Sequence, residues 1–227
     1  MSLREHWDEQ AESWAAFART PGHDFSHEQT NFPPFLELLP PAGRATLDVG
    51  CGEGRVGGEL QRLGHKVIGV DASPRMVEFA QEHHAAIVAD AAALPFADGA
   101  FDLVIAYMSL MNLDDMEGGV REAARVLESG GRFCFAVLHP LFAVGELLEP
   151  EDPEGPFLIR AYFDAPTKVW TSEREGITMT FHDRCIPLSV YAGAVESAGL
   201  LIEAVREIPS RRIPRLPLYL HVRAVKP

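Results

Sequence analysis

A chain of 227 residues with 47% hydrophobic side chains suits one α/β domain with room for an insertion, and 1–227 is expected to fold as a single unit. A formal net charge of −13 sets it against nucleic acid, whose phosphates are bound chiefly through Lys and Arg; the local group Arg211, Arg212 and Arg215 reads as a solvated loop. No apolar run approaches the roughly 20 residues that span a bilayer, and the N-terminus is polar and charged, so no membrane segment or secretory leader is expected and the cytoplasm is the default compartment.

The first predicted element is a helix. Trp7, Ala11, Trp14 and Ala15 recur at helical spacing with Phe17 beyond them, so residues 1–41 read as an N-terminal helical segment whose apolar stripe packs on the rest of the fold. Arg19, Thr20, His23 and His27 fall in the loop after it. Thr46-Leu47-Asp48-Val49 then has the unalternating aliphatic character of a strand buried on both faces, and it runs straight into Gly50-Cys51-Gly52-Glu53-Gly54. Glycines let the main chain turn tightly and approach a ligand, and the helix 55–63, stopped by Gly64, presents its first amides at the same place. Strand, glycine loop and helix in that order mark a site for a nucleotide-type cofactor.

The alternation continues. Lys66–Asp71 repeats the strand pattern and closes on a carboxylate about 20 residues past the glycines, the spacing at which an acid meets ribose hydroxyls. Ser73 as N-cap and Pro74 at the first position open the next helix. Ala85–Asp90 is a third strand ending in Asp, and Ala91–Phe96 leads to a fourth, Phe101–Tyr107. Asp114 or Asp115 starts a helix through Leu127, and Gly130-Gly131 separates it from a fifth strand, Arg132–Leu138. Such alternation implies a parallel sheet with right-handed crossovers, whose ligands lie outside the carboxyl ends of the strands. From His139 to Pro187 the regularity fails, with Pro, Glu and Gly around short strand-like runs at Phe157–Phe163 and Ile177–Phe181. Residues 139–187 are therefore an insertion and a candidate substrate lid, with a hairpin that only thickens the fold as the equal alternative. Leu188–Ala198, closed by Gly199, is the last helix, and 200–208 and 218–225 are the last strands.

The run Leu47-Asp48-Val49-Gly50-Cys51-Gly52-x-Gly54, followed in order by Asp71, Asp90 and the strand after Gly130-Gly131, resembles the class I S-adenosylmethionine-dependent methyltransferases, in particular the branch that acts on small molecules. The resemblance runs from Asp48 to the C-terminus. It implies a Rossmann-like, doubly wound α/β fold: a seven-stranded sheet, mostly parallel with an antiparallel edge strand, and helices on both faces. It also implies S-adenosylmethionine as cofactor, a small-molecule acceptor, and an N-terminal cap over the cofactor formed by 1–41. By the same resemblance Asp48 orders the loop near the methionine part, while Gly50, Cys51 and Gly52 carry the main chain past the amino-acid and ribose portions. Asp71 would accept both ribose hydroxyls, with Ala72 and Met76 against one face of the adenine. Asp90 would accept from the adenine amino group as the Ala91 amide donates to a ring nitrogen, and Tyr107 and Met108 would pass beneath the sulfonium. Taken alone, Asp90 is an ordinary N-cap or turn residue and Cys51 a small residue that fits, whereas the place of Asp71 at a strand end speaks against a mere helix-capping acid.

Methyl transfer needs an acceptor atom in line with the sulfonium methyl, so alignment and exclusion of water supply most of the rate. A base is needed only for an acceptor with a proton to lose, and His139, at the ligand edge of the fifth strand, is examined first, then Tyr107 and His182. A lone His is more often structural, and His182 and Asp183, adjacent on a strand, point to opposite faces. Two rival readings are an NAD-dependent oxidoreductase and a non-catalytic cofactor-binding scaffold. Against the first, the third glycine of Gly-x-Gly-x-x-Gly falls on Arg55, and no Tyr has a Lys four residues on. No Asn/Asp-Pro-Pro-Tyr run and no Pro-Cys pair speaks for methylation of nucleic-acid bases. Cys51, Cys134 and Cys185 are scattered without zinc-type spacing, and no metal is expected.

Overall fold

The computed structural model describes residues 2–164 and 167–227, and the Asp183 side chain also lies outside the description. Helix α1 (Leu3–Arg19) starts at a capping box in which Ser2 Oγ accepts from the Glu5 N–H and the Glu5 carboxylate accepts from the Ser2 N–H. A single π-type turn, His27–Asn31, leads into α2 (Phe32–Leu38). The alternating part follows: β1 (Thr46–Val49), α3 (Arg55–Arg62), β2 (Val67–Asp71), α4 (Pro74–Ala80), β3 (Ala85–Val88), β4 (Phe101–Tyr107), α5 (Met116–Val126) and β5 (Leu127–Leu138). Then come α6 (Pro140–Val144), β6 (Gly145–Leu147), β7 (Phe157–Ile159), β8 (Lys168–Arg174), β9 (Ile177–Asp183), α7 (Leu188–Ser197), β10 (Leu201–Pro209) and β11 (Pro217–Val225).

Among the described residues, seven strands form one sheet in the order β10-β11-β5-β4-β1-β2-β3. β1 to β5 pair in parallel, and β11 runs antiparallel to both β5 and β10, which makes the antiparallel edge pair. The chain leaves β1 toward β2 and β3, then returns to lay β4 on the other side of β1. That reversal opens a crevice at the carboxyl ends of β1 and β4, the place where open α/β sheets bind their ligands.

Both faces of the central strands β1 and β4 are covered, which is why they lack polar alternation. On β4, Val104 and Ala106 join a core with Val120 and Ala123 of α5 and Tyr191 and Val195 of α7, while Leu103, Ile105 and Tyr107 join a second with Phe32 and Phe35 of α2 and Val56 and Leu60 of α3. No helix among the described residues is long and apolar enough to cross a membrane.

Some boundaries differ from the sequence expectation. β3 stops at Val88: the Ala89 N–H still reaches Asp71 O at 3.0 Å, but Asp90 Oδ1 then accepts from the Ala92 N–H and turns the chain. β5 begins before the glycine pair, because Leu127 pairs with Phe101 and the ladder resumes at Arg132 opposite Leu103 across an irregularity. Within residues 139–187, only 157–159 of the run 157–163 is strand, paired with β6. The other hairpin, β8–β9, turns at Glu175-Gly176, both with positive φ, as two-residue hairpins favour. It packs on α1, where Gln10 Oε1 accepts from the Thr180 N–H and His6 Nε2 lies 2.9 Å from Thr180 O.

Candidate functional site

At the carboxyl end of β1, Asp48 is 1% exposed and its Oδ2 has no hydrogen-bond partner. Burial, followed by the nearby carboxylates of Asp71 and Glu53, pushes its pKa up to about 8. The loop beyond it folds back on β2, since the Gly50 and Cys51 N–H groups both donate to Val70 O, at 2.8 and 3.0 Å. Gly50 adopts φ 70°, and a Cβ there would stand 2.4 Å from Ser109 Cβ, so the position needs glycine twice over. Ser109 Oγ–H donates to Val49 O at 2.6 Å, which fastens the segment after β4 to the end of β1. Cys51 is buried, and burial with the surrounding carboxylates keeps its thiol well above the usual range.

Asp71 closes β2 with an amide already on each oxygen: Gly52 N–H on Oδ2 and Ser73 N–H on Oδ1, both at 2.9 Å. Each oxygen retains a second lone pair. Burial raises the Asp71 pKa and those two amides pull it back. Ala72 is half-buried beside it and Met76 is buried in the first turn of α4. Asp90 is exposed, its Oδ1 accepting from the Ala92 N–H at 2.9 Å, while Ala91 is buried in the core. Met108 follows β4 in the left-handed region at φ 55°, rare for a side chain of its size, with its N–H donating to Ala136 O at 2.8 Å. The residues expected round the cofactor therefore stand at the carboxyl ends of β1, β2 and β4 and in the turn after β3.

The three residues expected to move protons part company. Tyr107 lies in the α2–α3 face of the core with its hydroxyl 3.1 Å from His27 Nδ1 and its ring 5.0 Å from that of Phe35. Burial holds its phenol well above the usual value, against the pull of Arg55. His27 itself stacks on Phe32 at 4.8 Å, and burial with the nearby Arg55 lowers its pKa to about 3. His139 caps α6: its Nδ1 accepts from the Leu141 N–H at 3.1 Å, so the proton sits on Nε2 and points at Glu207 Oε1, 3.0 Å away. Burial lowers its pKa although Glu207 opposes the shift. His182 stacks on His6 of α1 at 4.0 Å, and the paired Asp183 side chain lies outside the described residues.

Residues 47–135 match the family model described as a methyltransferase domain. Over that stretch, less than half of its length, the chain is similar to methyltransferase domains. S-adenosylmethionine is the cofactor of such domains. The domain is 38% identical over 96 residues to a demethylmenaquinone methyltransferase of Corynebacterium kroppenstedtii, 42% of each chain. It is 32% identical over 143 residues to a malonyl-[acyl-carrier protein] O-methyltransferase of Pectobacterium atrosepticum, 60% of this chain and 56% of that one. The chain thus spans about two fifths to a little over half the length of these curated relatives. The fold is that of an S-adenosylmethionine-dependent methyltransferase from Mesorhizobium loti, with TM-score 0.68, 22% identity and coverage of 86% of this chain and 96% of the other.

The residues of the methyltransferase domain fit this cofactor. An unpartnered, buried Asp48 oxygen beside Glu53 and Asp71 suits a ligand that carries positive charge, and a pyrophosphate would meet the same carboxylates with repulsion. At Gly52, a Cβ would face only Trp14 Nε1 at 3.7 Å, so the main chain there is open to a neighbour. Sequence reasoning placed Glu53 and Trp14 in the loop and the helix but missed their pairing: Trp14 Nε1–H donates to Glu53 Oε2 at 2.6 Å. An acid between two glycines was visible, whereas a partner 39 residues away was not.

Proposed function

We propose that the chain transfers a methyl group from S-adenosylmethionine to a small-molecule acceptor by in-line displacement. The observation that carries this reading is the set of carboxylates round the glycine loop, Asp48, Glu53 and Asp71, with one buried Asp48 oxygen unpaired. Bound S-adenosylmethionine supplies an activated methyl on a sulfonium. Asp48 faces the positively charged methionyl part, Gly50, Cys51 and Gly52 line it with main chain, and Asp71 takes the ribose hydroxyls on its free lone pairs. Ala72 and Met76 flank the adenine, Asp90 and Ala91 meet its edge, and Tyr107 and Met108 underlie the sulfonium. Alignment and a dry site account for the rate. For an acceptor that must lose a proton, none of the three side chains is a free base: both His139 nitrogens are engaged, the buried Tyr107 hydroxyl is held against His27 Nδ1, and His182 packs on His6 of α1.

A small acceptor accords with the named relatives, which include enzymes for demethylmenaquinone and for a malonyl group on a carrier protein. Nucleic acid is disfavoured by the charge of −13 and by where the arginines go. Arg211 donates to Gln29, Arg212 to Pro150 O and Arg215 to Pro153 O, so all three brace neighbouring segments. Calorimetry tests the reading: S-adenosylmethionine and S-adenosylhomocysteine bind in preference to NAD, and Asp71→Ala weakens them by about 1.5–3 kcal/mol, the worth of a charged hydrogen bond. Tighter binding of NAD, or undiminished binding by the variant, contradicts it.

A further inference from the structure

The two ends of this site differ in access. Asp90 is exposed and Asp71 and Ala72 are half-buried, whereas Asp48 and Glu53 are 1% and 3% exposed. Helix α1 packs on the loop after β1 through Trp14 and on the start of α4, beyond β2, through Asp8 and Glu12. Asp8 accepts from the Ser73 hydroxyl, Glu12 meets Arg75 at 2.6 Å and Arg19 reaches Glu82 at 3.1 Å. The last two pairs are open to water and hold little.

The contact at Glu53 is of another kind. Its Oε2 accepts from Trp14 Nε1–H of α1 at 2.6 Å and its Oε1 lies 3.2 Å from Arg55 Nε. Arg55 Nη2 in turn donates to Asp24 Oδ2 at 2.7 Å, in the segment between α1 and α2, and its guanidinium sits 5.1 Å from the Trp14 ring centre. One buried carboxylate inside the glycine loop therefore ties down the cap at two places.

We propose that Glu53 is a positioning residue that holds the cap shut over the methionine half of the cofactor, so that cofactor enters and leaves only when the Trp14–Glu53 bond opens. The proposal rests on the S-adenosylmethionine reading above. If opening precedes passage, both the association and the dissociation rate scale with the open population, and their ratio stays fixed. The adenosine half, bordered by the exposed Asp90, needs no opening.

Surface plasmon resonance with S-adenosylhomocysteine and with adenosine, on the wild-type chain, Trp14→Phe and Glu53→Gln, tests this. Trp14→Phe keeps an aromatic ring but removes the N–H donor and part of the indole's bulk; loss of a hydrogen bond to a charged group raises both S-adenosylhomocysteine rates about tenfold, with affinity held within about threefold. Glu53→Gln, which keeps an oxygen for the indole without the charge, also takes a carboxylate from the cofactor site, so its dissociation rises further; a rise in its association rate despite that loss decides the matter should Trp14→Phe fail to fold. Adenosine rates are the same in all three. Unchanged S-adenosylhomocysteine rates alongside a lowered melting temperature overturn the proposal and leave the bond a structural one. A rise in dissociation alone also overturns it, since Trp14 would then touch the ligand rather than gate it. A wild-type chain that binds neither compound removes this proposal together with the reading beneath it, whereas binding with equal rates removes this proposal only.

Discussion

A buried carboxylate with an unpaired oxygen is costly until a positive charge or a proton joins it, and Asp48 is in that position. Its pKa stands at about 8 in the folded chain against an ordinary 3.8. The folded state thus holds the proton more tightly, and the stability this contributes is full below the ordinary value and is lost as pH rises through about 8. Asp48→Asn cannot ionise and escapes that loss. Urea unfolding at about pH 5 and about pH 8 checks the sign: the stability of the variant relative to wild type shifts in the variant's favour at the higher pH. An equal difference at the two pH values contradicts the buried, unpaired assignment. Cys51 near Asp48 is a thiol rather than a nucleophile, and His139 beyond β5 is a helix cap rather than a free base, each through the neighbours that burial gives it. No spacing in the sequence encodes those neighbours.

The elements that build the crevice were legible because their signals are local. Thr46–Val49, Val67–Asp71 and Phe101–Tyr107 carry unbroken aliphatic runs, and the glycines that follow β1 allow one shape of turn. Residues 139–187 were less legible. β8 is mostly exposed, so its side chains keep no alternation for burial to impress, and its register is set by the Glu175-Gly176 turn. Of the site, Asp48, Asp71 and the glycines came from local pattern, whereas the Trp14–Glu53 and Tyr107–His27 contacts join distant segments and had no local sign. The glycine loop itself can be tested by comparing two glycines with similar φ. Gly22, at φ 80°, has nothing within 4 Å of a built Cβ, whereas at Gly50, φ 70°, the Cβ meets Ser109 at 2.4 Å. Gly22→Ala is expected to cost about 1 kcal/mol from the backbone alone, and Gly50→Ala about 2–4 kcal/mol because crowding adds to it. Equal losses in urea unfolding would mean that the loop is not packed on the segment after β4.

On the scale of the whole molecule, three layers meet over one reversal of strand order. The sheet supplies strand ends, α1 and the β8–β9 hairpin pack together, and the turn leading into α2 is fixed to β11 by the Asn31–His221 contact at 2.6 Å. Burial lowers the His221 pKa to about 4, so this junction stays neutral above that range. Asp48 and Glu53 thus lie out of water while Asp90 stays in its reach, which on the proposed reading keeps water from the methyl group and leaves the adenine edge open.

That account stands or falls on transfer itself. The purified chain, given S-adenosylmethionine labelled in its methyl group and fractionated pools of small metabolites, is predicted to move label into a small molecule with one S-adenosylhomocysteine formed for each methyl transferred. Cofactor that binds by calorimetry yet yields no S-adenosylhomocysteine above background with any pool would contradict it, and would leave the chain a scaffold that holds the cofactor without using it.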